Sequence, residues 1–304
     1  MAINRRDFMA TTAGAAFLSR GAEAAVLPPD YLQCVVSIGV DDLVVEEGKQ
    51  TIRWVTNASG FLYASPLPKK DGEEPRSWLY LVTNGHVLKG QTQINVRFNS
   101  RSGNAAKYPI LLTGPDSPAV HSHPNLDLAV IRLNPEVLQK DGVQYKKFGP
   151  ENLATREAIA REGIAVGDGV FVLGFPVGIA GIERNFVVAK QGIIARLEAT
   201  QDPKLTKEYL VDALVFPGNS GGPVVTRPEI LAITGTKALS NSYLLGVVYQ
   251  FIPYTDVAVS KQTNRARITF EENSGLASVI PADYIEETIQ MHIKALDAST
   301  SKVK

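Results

Sequence analysis

One cysteine, Cys34, stands in 304 residues. No intramolecular disulfide can form, and a cysteine-based metal cluster is excluded. At the start of the first strand-like run, Cys34 reads as a small buried apolar residue. Histidine is scarce as well: His86, His121, His123 and His292 are the only imidazoles available to any acid–base or metal chemistry. An excess of one charge is missing, with 31 Lys plus Arg against 31 Asp plus Glu, so bulk charge signals no nucleic-acid partner. No apolar run reaches the roughly 20 residues that a membrane-crossing helix takes, and no stable membrane span is expected. What is present is ordinary for a folded chain, 44% hydrophobic and 20% charged residues, which excludes disorder as the dominant state. The length fits one or two domains.

Residues 4–25 read NRRDFMATTAGAAFLSRGAEAA. Arg5 and Arg6 precede a weakly apolar stretch at 8–18 that is too short to cross a bilayer, and Ala22, Glu23 and Ala24 form a small-x-small site. This order of basic, apolar and small-residue parts is that of a twin-arginine signal peptide over residues 1–25. It implies export after cytosolic folding through the twin-arginine translocation machinery. The destination is then the bacterial cell envelope, periplasmic or secreted.

The body of the chain reads as many short strands separated by turn residues. Runs near 33–40, 51–56, 60–64, 78–83, 93–98 and 126–133 form one set, and runs near 169–174, 185–197, 208–214, 223–226 and 242–252 form a second. Ile94, Val96 and Phe98 alternate with Asn95 and Arg97, the period-two pattern of a half-buried strand. Residues 150–167 between the sets are polar, loop-like or briefly helical. Ile285, Ile289, Ile293 and Leu296 lie on one helical stripe. Two all-β units, 26–150 and 151–304, are expected, the second ending in a helix. Residues 66–77 and 260–273 are expected as surface loops.

Three segments carry chemistry. TNGHV at 83–87 ends an apolar strand and presents His86; DLAVIRL at 127–133 sets Asp127 at the mouth of an apolar strand. Burying a carboxylate there is costly unless it is hydrogen-bonded. GNSGGP at 218–223 combines small residues that let the backbone turn sharply with a serine, Ser220. It lacks the Lys-Ser/Thr ending and following helix of a phosphate-binding loop. Each segment alone is also consistent with an ordinary turn. Together they supply what an activated serine needs: a neutral imidazole to take its proton and a carboxylate to hold the ring. They come in the order His, Asp, Ser.

These three segments resemble the motifs of trypsin-like (chymotrypsin-fold) serine proteases and are closest to the HtrA-like bacterial branch. The resemblance runs from about Val35 to Ile293. It implies an all-β fold of two six-stranded antiparallel β-barrels with a C-terminal helix, His86 and Asp127 in the first barrel and Ser220 in the second. It implies roles too. His86 is general base and then acid, Asp127 orients it, and Ser220 is the nucleophile. The backbone N–H groups of Gly218 and Ser220 form the oxyanion hole, and no cofactor or metal takes part. The expected partner is a polypeptide substrate. Val247, Val248 and Tyr249 are expected to pair with it as an extended strand. Leu214, six positions before the serine, is expected at the base of the primary specificity pocket; it is not an acid, so a small or medium apolar side chain is expected there rather than Arg or Lys. Asn219 stands where digestive members carry an aspartate, so activation by a new N-terminal amine is not implied. About 23 residues follow Pro281, too few for a peptide-binding PDZ domain. A catalytically silent or latent peptide-binding protein on the same scaffold is the alternative. His121 and His123 follow no motif and read as surface-loop residues, their closeness leaving a metal site as the other reading; His292 reads as structural.

Overall fold

A computed structural model describes residues 26–46, 48–67, 76–112, 120–197 and 208–301. The signal-type segment, residues 1–25, lies outside them, as does most of the expected loop at 66–77.

Fourteen strands dominate the described residues, in two antiparallel units. The first holds β1 (Val35–Glu46), β2 (Lys49–Pro66), β3 (Ser77–Thr83), β4 (Gln93–Ser100), β5 (Ala105–Leu111), β6 (Val120–Ser122), β7 (Ala129–Leu133) and β8 (Val143–Gln144). The second holds β9 (Gly169–Gly174), β10 (Val188–Arg196), β11 (Tyr209–Asp212), β12 (Pro223–Thr226), β13 (Leu244–Val259) and β14 (Ala266–Pro281). The second unit closes as a six-stranded barrel in the order β10-β11-β14-β13-β12-β9. The first is an eight-stranded sheet in the order β5-β4-β1-β2-β3-β7-β6, with β8 attached to β4. The expected all-β, two-unit architecture with a terminal helix is therefore present. Among the described residues the first unit carries more strands than expected, and its hydrogen-bonded path is open.

Strand positions follow the β-branched and apolar runs. Residues 51–56 and 60–64, read separately from the sequence, are one strand, β2; its register against β1 shifts between Ile38 and Gly39, and the intervening polar residues hide that continuity. Residues 260–273, expected as a loop, mostly belong to β14. Their charged side chains mask the pairing of Val257 with Thr269 and Ala258 with Ile268. The C-terminal helix (Asp283–Ser301) buries Ile285, Thr288, Ile289 and His292, an i, i+3, i+4, i+7 stripe.

Three apolar clusters account for the packing. One fills the barrel around Val172, Ile194, Val211 and Leu245. One lies within the first sheet around Ile38, Leu81, Val96 and Ile131. The third joins both units and the helix through Phe61, Val82, Phe148, Leu173, Val247 and Ile289. Cys34 belongs to this shared cluster at 1% exposure, and burial pushes its thiol up to about 12, as expected for an inert apolar position.

Arg97 departs from the sequence reading. The alternation in β4 assigns it to a solvent face, yet it is 1% exposed. Its Nε donates to Asn185 Oδ1 at 2.7 Å and its Nη2 to the Gly181 carbonyl at 2.9 Å, with further bonds to the carbonyls of Ala180, Ile182 and Arg184. Burial lowers its pKa to about 10. A first-unit cation thus grips the loop between β9 and β10 of the second unit.

Candidate active site

β3 and β7 are neighbours, and Thr83 is paired with Ala129. That pairing brings the end of one strand, which leads to His86, beside the start of the other, which follows Asp127. His86 sits in a single helical turn, Gly85–Leu88. Asp127 Oδ1 accepts the His86 backbone N–H at 2.7 Å, and Oδ2 lies 2.5 Å from His86 Nδ1. The Asn84 amide donates to the Asp127 carbonyl at 2.8 Å. A Cβ on Gly85 would come within 3.2 Å of Asp127 Oδ1, so the smallest residue suits that close approach. The His86 side chain is 48% exposed and that of Asp127 28%. Burial pushes the Asp127 carboxyl up, but bonds from the His86 ring, the His86 amide and the Gly85 amide outweigh it. The net result is a carboxyl held below its ordinary value. An ionised carboxylate on Nδ1 makes that nitrogen the donor and leaves Nε2 as the ring's free acceptor.

Ser220 lies in a turn before β12. Asn219, 1% exposed, closes the turn twice: its amide donates to the Phe216 carbonyl at 3.0 Å and its Oδ1 accepts the Phe216 amide at 3.1 Å. Gly218 and Gly221 have φ of +96° and +82°, the left-handed region that favours glycine. The amides of Asn219 and Gly222 close the turn internally and that of Gly221 donates to the Val248 carbonyl of β13 at 2.9 Å; the amides of Gly218 and Ser220 take part in none of these bonds. The Ser220 hydroxyl donates to the Tyr249 carbonyl at 3.2 Å. Among the described residues it makes no hydrogen bond to His86.

The sequence carries no signal for the residue that ties this turn to the first unit. Ser59, fully buried in β2, donates its N–H to the Ser220 carbonyl at 2.8 Å and its hydroxyl to the Gly218 carbonyl at 2.7 Å. Its Oγ accepts the Phe175 amide at 3.1 Å, and its carbonyl accepts the Thr83 hydroxyl at 2.9 Å. Thr83 leads directly to His86. Ser59 therefore links the serine turn to the strand end that presents the histidine.

A pocket of about 350 Å³ adjoins Ser220. Val248 and Tyr249 contribute to its lining; Val247 and Leu214 do not. Val247 is fully buried and paired on both sides, with Pro223 and with Ile280, and Val248 is nearly as buried. Val248 in turn exchanges backbone hydrogen bonds with Gly221 and Gly222, so the ladder on this side of β13 runs up to Tyr249, whose carbonyl accepts the Ser220 hydroxyl. Leu214 is 46% exposed and outside the lining. The chain enters the turn through Val215, Phe216 and Pro217, which line the pocket.

His123 is buried rather than on a surface loop, its Nε2 3.7 Å from Glu287 Oε1. His121 stacks on His292 with centroids 5.9 Å apart. Burial, then His292 and His123, lower the His121 pKa. These rings fasten β6 to the C-terminal helix. Among the described residues no group of three or more His, Cys, Asp or Glu is arranged to hold a metal ion.

A family model for the trypsin-like peptidase domain matches residues 58–229. The chain is 27% identical over 176 residues to the serine protease Do-like HtrB of Bacillus subtilis (strain 168), covering 56% of this chain and 31% of that protein. It is 29% identical over 164 residues to a probable periplasmic serine endoprotease DegP-like of Chlamydia pneumoniae, covering 54% and 27%. The chain thus spans about a third of the length of these curated relatives. Among solved structures it is similar to the HtrA-type protease AlgW with decapeptide, with a TM-score of 0.47 and 20% identity over 86% of this chain and 65% of that one.

Proposed function

The chain belongs to the trypsin-like peptidase family, and from that premise we propose that it is a serine endopeptidase working by acyl transfer through Ser220, His86 and Asp127. Ser220 Oγ attacks the scissile carbonyl carbon while its proton passes to His86 Nε2. Asp127 holds the ring through Nδ1 and stabilises the imidazolium. The tetrahedral oxyanion is met by the amides of Gly218 and Ser220, a donor pair of which each member is typically worth about 3 kcal/mol. The C–N bond then breaks, the leaving amine takes the proton from His86, and the acyl group remains on Ser220. Water attacks the ester with His86 again as base, and the acid product leaves. No cofactor is required.

The observation that carries this reading is the doubly bonded His86–Asp127 pair, joined through Thr83 and Ser59 to a turn whose two prospective oxyanion amides make no hydrogen bond among the described residues. A fluorophosphonate probe is expected to label wild-type protein at Ser220, and Ser220→Ala should abolish labelling and lower turnover by about a millionfold. Wild-type protein that never reacts refutes the reading.

The Ser220 hydroxyl resting on the Tyr249 carbonyl favours a second reading, a latent or silent peptide-binding state. Catalysis requires that hydroxyl to rotate toward His86. Binding of extended peptides without cleavage or labelling would establish the second reading over the first.

The arginine pair and small-residue site of residues 4–25 support export by the twin-arginine machinery to the periplasm or beyond the cell. Retention of the precursor in the cytoplasm after Arg5→Lys together with Arg6→Lys would bear this out; unchanged export would refute it.

A further inference from the structure

The pocket beside Ser220 is lined by Val215, Phe216, Val248, Phe251 and Pro253 among other uncharged residues, and by one charged side chain, Glu271. Glu271 lies in β14, which extends past the barrel as a ribbon with β13. Alternation along a strand puts Glu271 and Asn273 on the same face. The Asn273 amide donates to the Val215 carbonyl at 2.6 Å, so this face looks onto the segment that leads into the serine turn. Among the described residues no cation pairs with the Glu271 carboxylate. Lys190 stands nearby, its Nζ over the Phe216 ring at 4.4 Å, but it is not part of the lining.

We propose that Glu271 makes this pocket select a long basic side chain, Arg or Lys, in the residue before the scissile bond. The inference rests on the acyl-transfer reading of the same site and names its substrate class. The apolar walls would take the aliphatic stem while the carboxylate meets the cationic head. This replaces the apolar preference expected from Leu214, which lies outside the pocket.

The test uses full-length protein and fluorogenic peptides that differ only in the residue before the scissile bond: Arg, its neutral isostere citrulline, Leu or Glu. Fluorophosphonate labelling of Ser220 is followed in parallel. The Arg peptide should exceed the citrulline peptide in kcat/KM by about fivefold, the upper range for a partly exposed ion pair. High ionic strength should shrink that ratio. Glu271→Gln should bring it to about one, and Glu271→Lys should make the Glu peptide the better substrate of the charged pair. Labelling of Ser220 with no preference for Arg, or with a preference that Glu271→Gln does not alter, overturns the inference and leaves the acyl-transfer reading standing. Failure of Ser220 to label overturns both.

Discussion

The two β units bring their halves of the site together by different means. The first delivers His86 and Asp127 already joined, because the strands on either side of them are hydrogen-bonded neighbours. The second is the closed barrel, and its serine turn is held from two sides, by Val248 of its own β13, which accepts the Gly221 amide and donates to the Gly222 carbonyl, and by Ser59 of the first unit. The imidazole–carboxylate pair is thus a property of one sheet, whereas the placement of the serine turn depends on both units. Closure of a barrel does not by itself satisfy every group of a turn at its rim; here the carbonyls of Gly218 and Ser220 take their donors from the neighbouring unit.

Perturbing each side separately tests this contrast. The largest effect is expected from Asp127→Asn, which leaves the shape intact but removes the acceptor that sets the ring tautomer. Turnover should fall by about 10⁴-fold with unchanged circular dichroism, and a fall of less than tenfold would take the pair out of the chemistry. Next is Arg97→Met, which leaves the Asn185 side chain and several loop carbonyls without their donor. A loss of about 3 kcal/mol in unfolding free energy is expected, read from denaturant midpoints; an unmoved midpoint would show that the clamp between units contributes nothing. Ser59→Ala should cost about 1–2 kcal/mol in stability and slow Ser220 labelling by about tenfold, with the downfield imidazole proton of His86 retained in NMR spectra. Loss of that proton would show that the two halves are not separable.

The smallest effect is expected from acid. The Asp127 carboxyl lies below its ordinary 3.8 in the folded chain, so the unfolded chain takes up that proton more readily. The pair therefore contributes stability above about pH 3.8, and the contribution disappears as pH falls through the lower folded value. Asp127→Asn should flatten this part of the stability profile; an identical acid slope in the variant would assign it to other carboxylates.

Much of this molecule is legible along the chain. β9 and β12 follow directly from apolar runs bounded by glycine and proline, and the stripe of Ile285 and Ile289 marks the terminal helix. The catalytic candidates are legible because the chemistry needs specific residue types beside turn-forming neighbours. Other features are not. Arg97 looks like a solvent-facing residue by alternation, and Ser59 like any strand serine. Leu214 has the right offset from the serine but not the right surroundings, while Glu271 sits in a stretch whose charge reads as loop.

The sequence by itself determined the peptidase family and the local backbone shapes, because motif residue types and allowed φ are short-range properties. Only the tertiary structure decided which carbonyls Ser59 and Arg97 would satisfy, which wall the serine would face and which acid would stand in it. Those outcomes depend on distant groups coming within bonding distance, Ser220 and Tyr249 from 29 residues apart and Ser59 and Gly218 from 159, and no local pattern encodes a partner that far along the chain.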